Sequence, residues 1–442
     1  MISLLATLSD SLLSILLLSI ATIFCVLFAM RTRFLHLFEP AIFQSIVTGA
    51  AFSAFWPLYS AANYTWQTLF VACILSVLPF LIFYRNRGIV GAGLAHERAS
   101  FIDRHDFSAL IYVCCSIVIL NMLISAAATG GAVAAKSDIG DVRLAMGRLN
   151  VVGYFSQAAT PLLPCLLYLT YGTRRFYVVV TAFISGIATG VILGSRVSLL
   201  QPILGVGAVL FWHALDVFDE TGKRVPLFTI RNVIIGIGGM ILAGMLVFLL
   251  GLLVSGSAGQ FVYEFLLRFF LQFDGIFLVV NDALLSPHVR PEYSVALAYI
   301  QPITKMLHVD TGQVYSNVGE YIGVAVYHMN IWKNPELAKA ALPNSNLALE
   351  FVLSFSRPIA WILIFLWSTS VMLALNFFEK RRYRGVGYFC MAQYLVMSPL
   401  GYFLDGNYFV IGLYGLGALW CLAKLLSLVI PEKNAQEPQY QS

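Results

Sequence analysis

The residues in this 442-residue chain best suited to chemistry are a few arginines and carboxylates set among long apolar runs. Arg196 closes the segment Gly194-Ser195-Arg196 at the end of one such run. A guanidinium there is costly to place at a membrane boundary unless it is paired, and its planar fork of donors suits phosphate oxygens. The alternative for Arg196 is an interfacial anchor. Arg143 and Arg148 form a second pair, five apart, a spacing that does not put them squarely on one helix face. Asp138 and Asp141 could neutralise that pair locally. Arg268, Arg290 and Arg357 follow, the last just before Pro358. Six arginines at one membrane face would build an electropositive basin for a diphosphate.

For a proton acceptor the candidates are Glu350, Glu320, His308, Asp310, Asp274 and Asp282. Glu350 ranks first, because Asn346-Leu347-Ala348-Leu349-Glu350-Phe351 leads into an apolar span. A carboxylate at that depth is expected to have a raised pKa unless it is paired, which suits proton abstraction. The competing role for Glu350 is as an arginine partner. His308 and Asp310 lie two apart, but no HxxxH or HExxH pattern accompanies them, so no metal is expected. Tyr293, Tyr299, Tyr315, Tyr321 and Tyr327 could stack on sugars, or form a local core or interfacial belt.

The elements that position these groups are membrane helices. Hydrophobic residues make up 59% of the chain and charged residues 11%, and the mean hydropathy is +0.82. Only helices or closed barrels span lipid, and runs of about 20 apolar residues favour helices over the alternating strands of a barrel. About eleven spans (a range of about 10–14) are expected. They fall at 11–30, 40–61, 66–84, 108–128, 150–171, 176–194, 197–215, 232–254, 357–378, 386–404 and 407–430. The first reads as a retained helix, not a cleaved signal peptide. The organisation is then N-terminal helices over 1–254, a large polar loop over 255–356, C-terminal helices over 357–430 and a disordered tail over 431–442. Within the loop, Gly259 to Leu285 has helical density, whereas Ser286 to Asn346 is expected to be broken by Pro287, Pro291, Pro302, Pro335 and Pro343.

Orientation follows from the basic residues. The cluster Glu379-Lys380-Arg381-Arg382-Tyr383-Arg384 belongs in the cytoplasm. Alternating back from it puts Arg31 and Arg33, Arg85 to Arg104, Arg174 and Arg175, and Lys223 to Arg231 on the same side. The large loop and the N-terminus are then outside and the C-terminus inside. The basic excess, 27 against 22 acids, thus reflects orientation and not nucleic acid. The seven cysteines all fall in apolar spans, which argues against a disulfide framework. No GxxxxGK[ST] loop is present, and the inner loops are too short for a nucleotide-sugar domain, so a glycosyl donor would be lipid-carried.

This layout resembles the oligosaccharide repeat-unit polymerase (O-antigen polymerase) family, with a dozen or so spans and one large late outer loop. Leu193-Gly194-Ser195-Arg196-Val197-Ser198-Leu199-Leu200 is similar to the family's Gly-Ser-Arg segment. Pro343-Asn344-Ser345-Asn346-Leu347-Ala348-Leu349-Glu350-Phe351 is similar to its Glu-bearing segment where the loop re-enters the membrane. Leu353 to Arg357 departs from the glycine-bearing continuation usual there. The resemblance implies an all-α fold like that of the GT-C polymerases and ligases, in a bacterial inner membrane. It also implies inverting, metal-independent transfer from an undecaprenyl-diphosphate-linked glycan, without a cofactor. A flippase and a chain-length regulator would be partners. On this reading Arg196, Arg290 and Arg357, with Arg143 and Arg148, hold the diphosphate, and Glu350 is the base. The rivals are an O-antigen ligase, which shares the layout, and a flippase or transporter for lipid-linked oligosaccharide.

Overall fold

The computed structural model describes residues 64–84, 93–130, 150–192, 196–223, 294–307, 309–312, 347–397 and 406–429, with isolated positions elsewhere. In the first turns of the helix starting at Arg196 the backbone alone is described. These residues are all-helical, without a strand among them. The helices are α1 (Tyr64–Phe83), α2 (Leu94–Ile102), α3 (His105–Ala128), α4 (Asn150–Ala159), α5 (Leu163–Thr170), α6 (Arg175–Ile192) and α7 (Arg196–Thr221). They continue with α8 (Val295–Met306), α9 (Leu347–Ser354), α10 (Arg357–Lys380), α11 (Val386–Met397) and α12 (Gly406–Val429).

Among the described residues, three helices are long and apolar enough to cross a membrane: His105–Ala128, Arg357–Lys380 and Phe409–Val429. Phe70–Phe83, Arg175–Gly190 and Val386–Met397 are shorter apolar stretches. The chain therefore has membrane-protein character. The spans expected at 40–61 and 232–254, and most of 11–30, lie outside the described residues, as does the boundary drawn at 254. The 150–171 stretch is two helices, α4 and α5, joined by a tight turn over Thr160–Leu162 that carries Pro161. Proline lacks the N–H a continuous helix would need there.

Helix packing fixes which ends lie together. α1 and α10 run parallel: Trp361 Nε1 donates to Thr68 O (3.3 Å) and Asn376 Nδ2 to Phe83 O (2.7 Å), with the same sequence offset of 293 at both points. α3 packs on α6, α12 and α4, and α7 packs on α6 and α5. The link Arg381–Gly385 turns α10 sharply into α11. Glycines of α12 let helices close up on it. A Cβ on Gly412 would fall on the Tyr394 ring, and one on Gly415 would press on Ala158 of α4.

Two elements depart from the sequence reading. Pro302 does not break the loop; it lies inside α8. Burial of Val295, Ala298 and Gln301 against neighbouring helices outweighs the lost hydrogen bond. Likewise, Glu350 does not run straight into the following span. It sits on α9, which ends at Ser354 and is separated from α10 by Phe355 and Ser356. Ser356 is extended (ψ 148°) and Pro358 sits in the first turn of α10, where its missing N–H costs nothing.

Candidate functional site

Among the described residues, Arg98, Arg104, Arg175, Arg382, Arg384 and Lys424 gather at one end. Arg382, in the turn after α10, is fully buried and reaches α7. Its Nη2 donates to Asp216 Oδ1 (2.5 Å), its Nε to the same oxygen (3.2 Å) and its Nη1 to Asp219 Oδ2 (2.8 Å). Arg98 of α2 and Tyr168 of α5 donate to Asp216 Oδ2 at 3.0 and 2.9 Å. The Tyr383 hydroxyl donates there too, at 2.9 Å. One carboxylate thus ties α2, α5, α7 and the α10–α11 turn together. Around it, Arg384 pairs with Glu97 (3.6 Å), Arg175 reaches Ile102 O (3.5 Å) and Lys424 of α12 pairs with Asp106 (2.5 Å). Burial works against the charge on Arg382, but Asp216, Tyr383 and Asp219 outweigh it and hold its pKa well above the ordinary range. Burial pushes the Tyr383 hydroxyl up, and the Asp216 charge pushes it further.

The Glu379-to-Arg384 cluster, which the sequence marks only by its charge, therefore has its middle arginine in the interior. Asp216 and Asp219 were missed. Their one signal was position: carboxylates in the last turns of a helix sit unfavourably in its dipole and call for a cation.

The opposite end holds Glu350. α7 and α10 both run toward the Arg382 network, so their first residues, Arg196 and Arg357, lie at the far end from it. All eight residues of α9 are buried, Glu350 among them at 0% exposure. α9 folds back along α10 and α1: the Phe351 ring lies 6.5 Å from Trp367, ten residues into α10. At a rise of 1.5 Å per residue, the carboxyl lies ~10–15 Å along α10 from Arg357. Protein surrounds this short helix, with all eight of its residues buried.

Tyr299 of α8 meets Glu350 there, its hydroxyl donating to Oε2 at 2.6 Å. The Tyr299 carbonyl accepts from the Tyr414 hydroxyl (3.0 Å), and its ring lies 5.8 Å from Trp367. Ser354 Oγ donates to Glu350 O (2.8 Å) and accepts from Val295 N (2.9 Å), so α8 and α9 are pinned twice. Gly406, the first residue of α12, permits this: a Cβ there would collide with the Tyr299 hydroxyl and Leu347. Phe409 and Tyr394 stack beside it with ring centres 5.5 Å apart. The result is a carboxyl held by a phenol in an aromatic wall, an arrangement able to hold or accept a proton.

Of the other sequence candidates, Arg357 is exposed at the start of α10, and the backbone of Arg196 starts α7. Asp310 is exposed, and its Oδ1 accepts from Gly312 N (2.9 Å) in a turn after α8. Arg143, Arg148, Arg290, Glu320 and His308, and likewise Arg268, Asp274 and Asp282, lie outside the described residues. The structure thus brings Glu350 together with Tyr299 and puts Arg196 and Arg357 at the same end. Sequence reading placed Tyr299 only among five similar tyrosines. Among the described residues, no three His, Cys, Asp or Glu side chains converge as a metal site.

Comparison with protein-family models, curated proteins and solved structures finds no match for this chain.

Proposed function

We propose that this protein is a membrane-embedded glycosyltransferase that polymerises undecaprenyl-diphosphate-linked oligosaccharide repeat units into a surface polysaccharide. The observation that carries the reading is Glu350, buried on a helix folded back into the molecule and held by Tyr299 at 2.6 Å. A proton acceptor below the membrane surface, next to a helix from the large polar stretch, suits an acceptor hydroxyl that arrives with its lipid anchor. In this reading Glu350 takes the proton as the hydroxyl oxygen bonds to the anomeric carbon of the donor sugar. The bond from that carbon to the diphosphate breaks, the configuration inverts, and the lipid diphosphate departs with the bond electrons. Arg196 and Arg357, joined by Arg143, Arg148 and Arg290, stabilise the growing negative charge. Tyr299 is a positioning residue that sets the carboxyl's orientation. The setting is a bacterial inner membrane with about eleven spans and the large loop outside. The bilayer, a flippase and a chain-length regulator are partners.

The test is a gel of surface polysaccharide from cells lacking the gene and complemented with wild type or Glu350→Gln. Loss of the long ladder with the single repeat unit retained, restored by wild type only, supports polymerisation with Glu350 as base. A ladder restored by Glu350→Gln removes the base assignment. The depth of Glu350 also favours a second reading, a proton-coupled transporter of lipid-linked oligosaccharide, since ionisable groups within a membrane mark such pathways. That reading predicts loss of the single unit as well.

A further inference from the structure

At the inner half of the molecule, α3 and α12 leave a groove of about 500 Å³ between them. Its lining includes Tyr112, Ser116 and Ile117 of α3 and Leu422, Leu425 and Val429 of α12. Tyr112, Leu422, Leu425 and Val429 are exposed, Leu425 by 61% and Val429 by 78%, so the groove opens away from the core. Both helices are long and apolar enough to cross a membrane, and in a bilayer this opening would face acyl chains.

The inner end of the groove carries charge. Lys424, on the same turns of α12 as Leu422 and Leu425, donates to Asp106 Oδ2. Arg104 grips the same carboxylate through Nε and Nη2, each at 3.0 Å. Two cations share one acid, which leaves one net positive charge. Both remain accessible, Arg104 with 42% and Lys424 with 44% of the side chain exposed. This end is where Arg98, Arg175 and Arg384 gather around Arg382, so it lies at the membrane's inner boundary in the topology above. An apolar slot in the bilayer that ends in a half-neutralised cation pair has the chemistry of a phospholipid with an anionic headgroup.

We propose that the α3–α12 groove binds an anionic phospholipid of the inner leaflet, one acyl chain in the slot and the phosphate on Arg104 and Lys424. This site is distinct from Glu350, which lies toward the other end of α12. It does not depend on the polymerase reading.

The experiment measures lipid retained by the purified full-length chain in mild detergent, by native mass spectrometry, with phosphatidylglycerol and phosphatidylcholine as competing probes. Wild type should retain phosphatidylglycerol in preference. Lys424→Gln leaves Asp106 paired with Arg104 and should weaken that retention about fivefold, the effect of one cation near a membrane surface. Lys424→Arg should restore it. Ser116→Phe, which fills the slot and leaves the charges alone, should lower retention of phosphatidylglycerol too. Thermal melting of each variant confirms that it is folded. Equal retention of the two lipids, or a Ser116→Phe variant that binds like wild type, overturns the proposal. So does undecaprenyl diphosphate displacing phosphatidylglycerol at far lower concentration, which would give the groove to a carrier lipid instead.

Discussion

Replacing Asp216 with asparagine removes the acceptor on which the Arg382 network converges. In the wild type, its two oxygens take Arg382 Nη2 (2.5 Å) and Nε (3.2 Å), Arg98 (3.0 Å), Tyr168 (2.9 Å) and Tyr383 (2.9 Å). Arg382 and Asp216 have side-chain exposures of 0% and 2%, so the pair is cut off from screening water. Removing one partner of such a pair costs ~3–5 kcal/mol, because the other charge stays buried. Arg382 keeps Asp219 (2.8 Å) and the Glu379 carbonyl (2.7 Å), which places the loss at the lower end, ~3 kcal/mol. That is roughly a hundredfold in the folding equilibrium. The Arg98 contact adds little, since that side chain is 32% exposed. The assay is equilibrium unfolding of the detergent-solubilised chain followed by tryptophan fluorescence. Trp212, with its ring 5.4 Å from the Arg382 guanidinium carbon, is a local reporter. Arg384→Ala is the internal control: its 3.6 Å pair with Glu97 is half-exposed and should matter by less than ~1 kcal/mol. In an Arg382→Gln background the Asp216→Asn loss should shrink, because the two residues act as one unit. If Asp216→Asn costs no more than Arg384→Ala, the reasoning from a desolvated network fails.

Other expectations are direct. Glu350→Gln, which can still accept from Tyr299, should leave the melting temperature close to wild type and cut ladder formation by at least ~100-fold, the scale of general-base catalysis. Tyr299→Phe removes a 2.6 Å hydrogen bond to a carboxylate and should destabilise by about 1.5–3 kcal/mol in the same unfolding assay. Gly412→Ala drives a methyl into the Tyr394 ring and should cost ~1–3 kcal/mol, partly relieved by Tyr394→Leu. The pH profile of stability has a defined sign at the Arg382 network. Tyr383 holds its proton more tightly folded than at its ordinary value of 10.0, and Arg382 likewise holds its proton above the ordinary guanidinium range. Their contribution is therefore complete below pH 10 and lost only as pH rises above it, so melting attributable to them should be flat from neutral pH to about 9.

Much of the molecule was legible in the chain. A run of apolar residues must bury its own backbone hydrogen bonds in lipid, so the hydropathy pattern alone gave the helical class and placed stretches where α1, α3, α6, α10 and α12 are found. Glu350 stood out for a similar reason, as a charge set in an apolar segment. What the pattern could not carry is pairing across distance. Tyr299 and Glu350 are 51 residues apart, and Arg382 and Asp216 are 166 apart. Only the packing of α7 against the α10–α11 turn makes Arg382 a buried ion, where local composition makes it a solvated one. Only the fold-back of α9 carries Glu350 past the start of α10 and into the molecule. Hydrophobic periodicity is a local quantity set by each helix alone, whereas the partner of a buried charge is set by which helices meet, and the tertiary structure decides that.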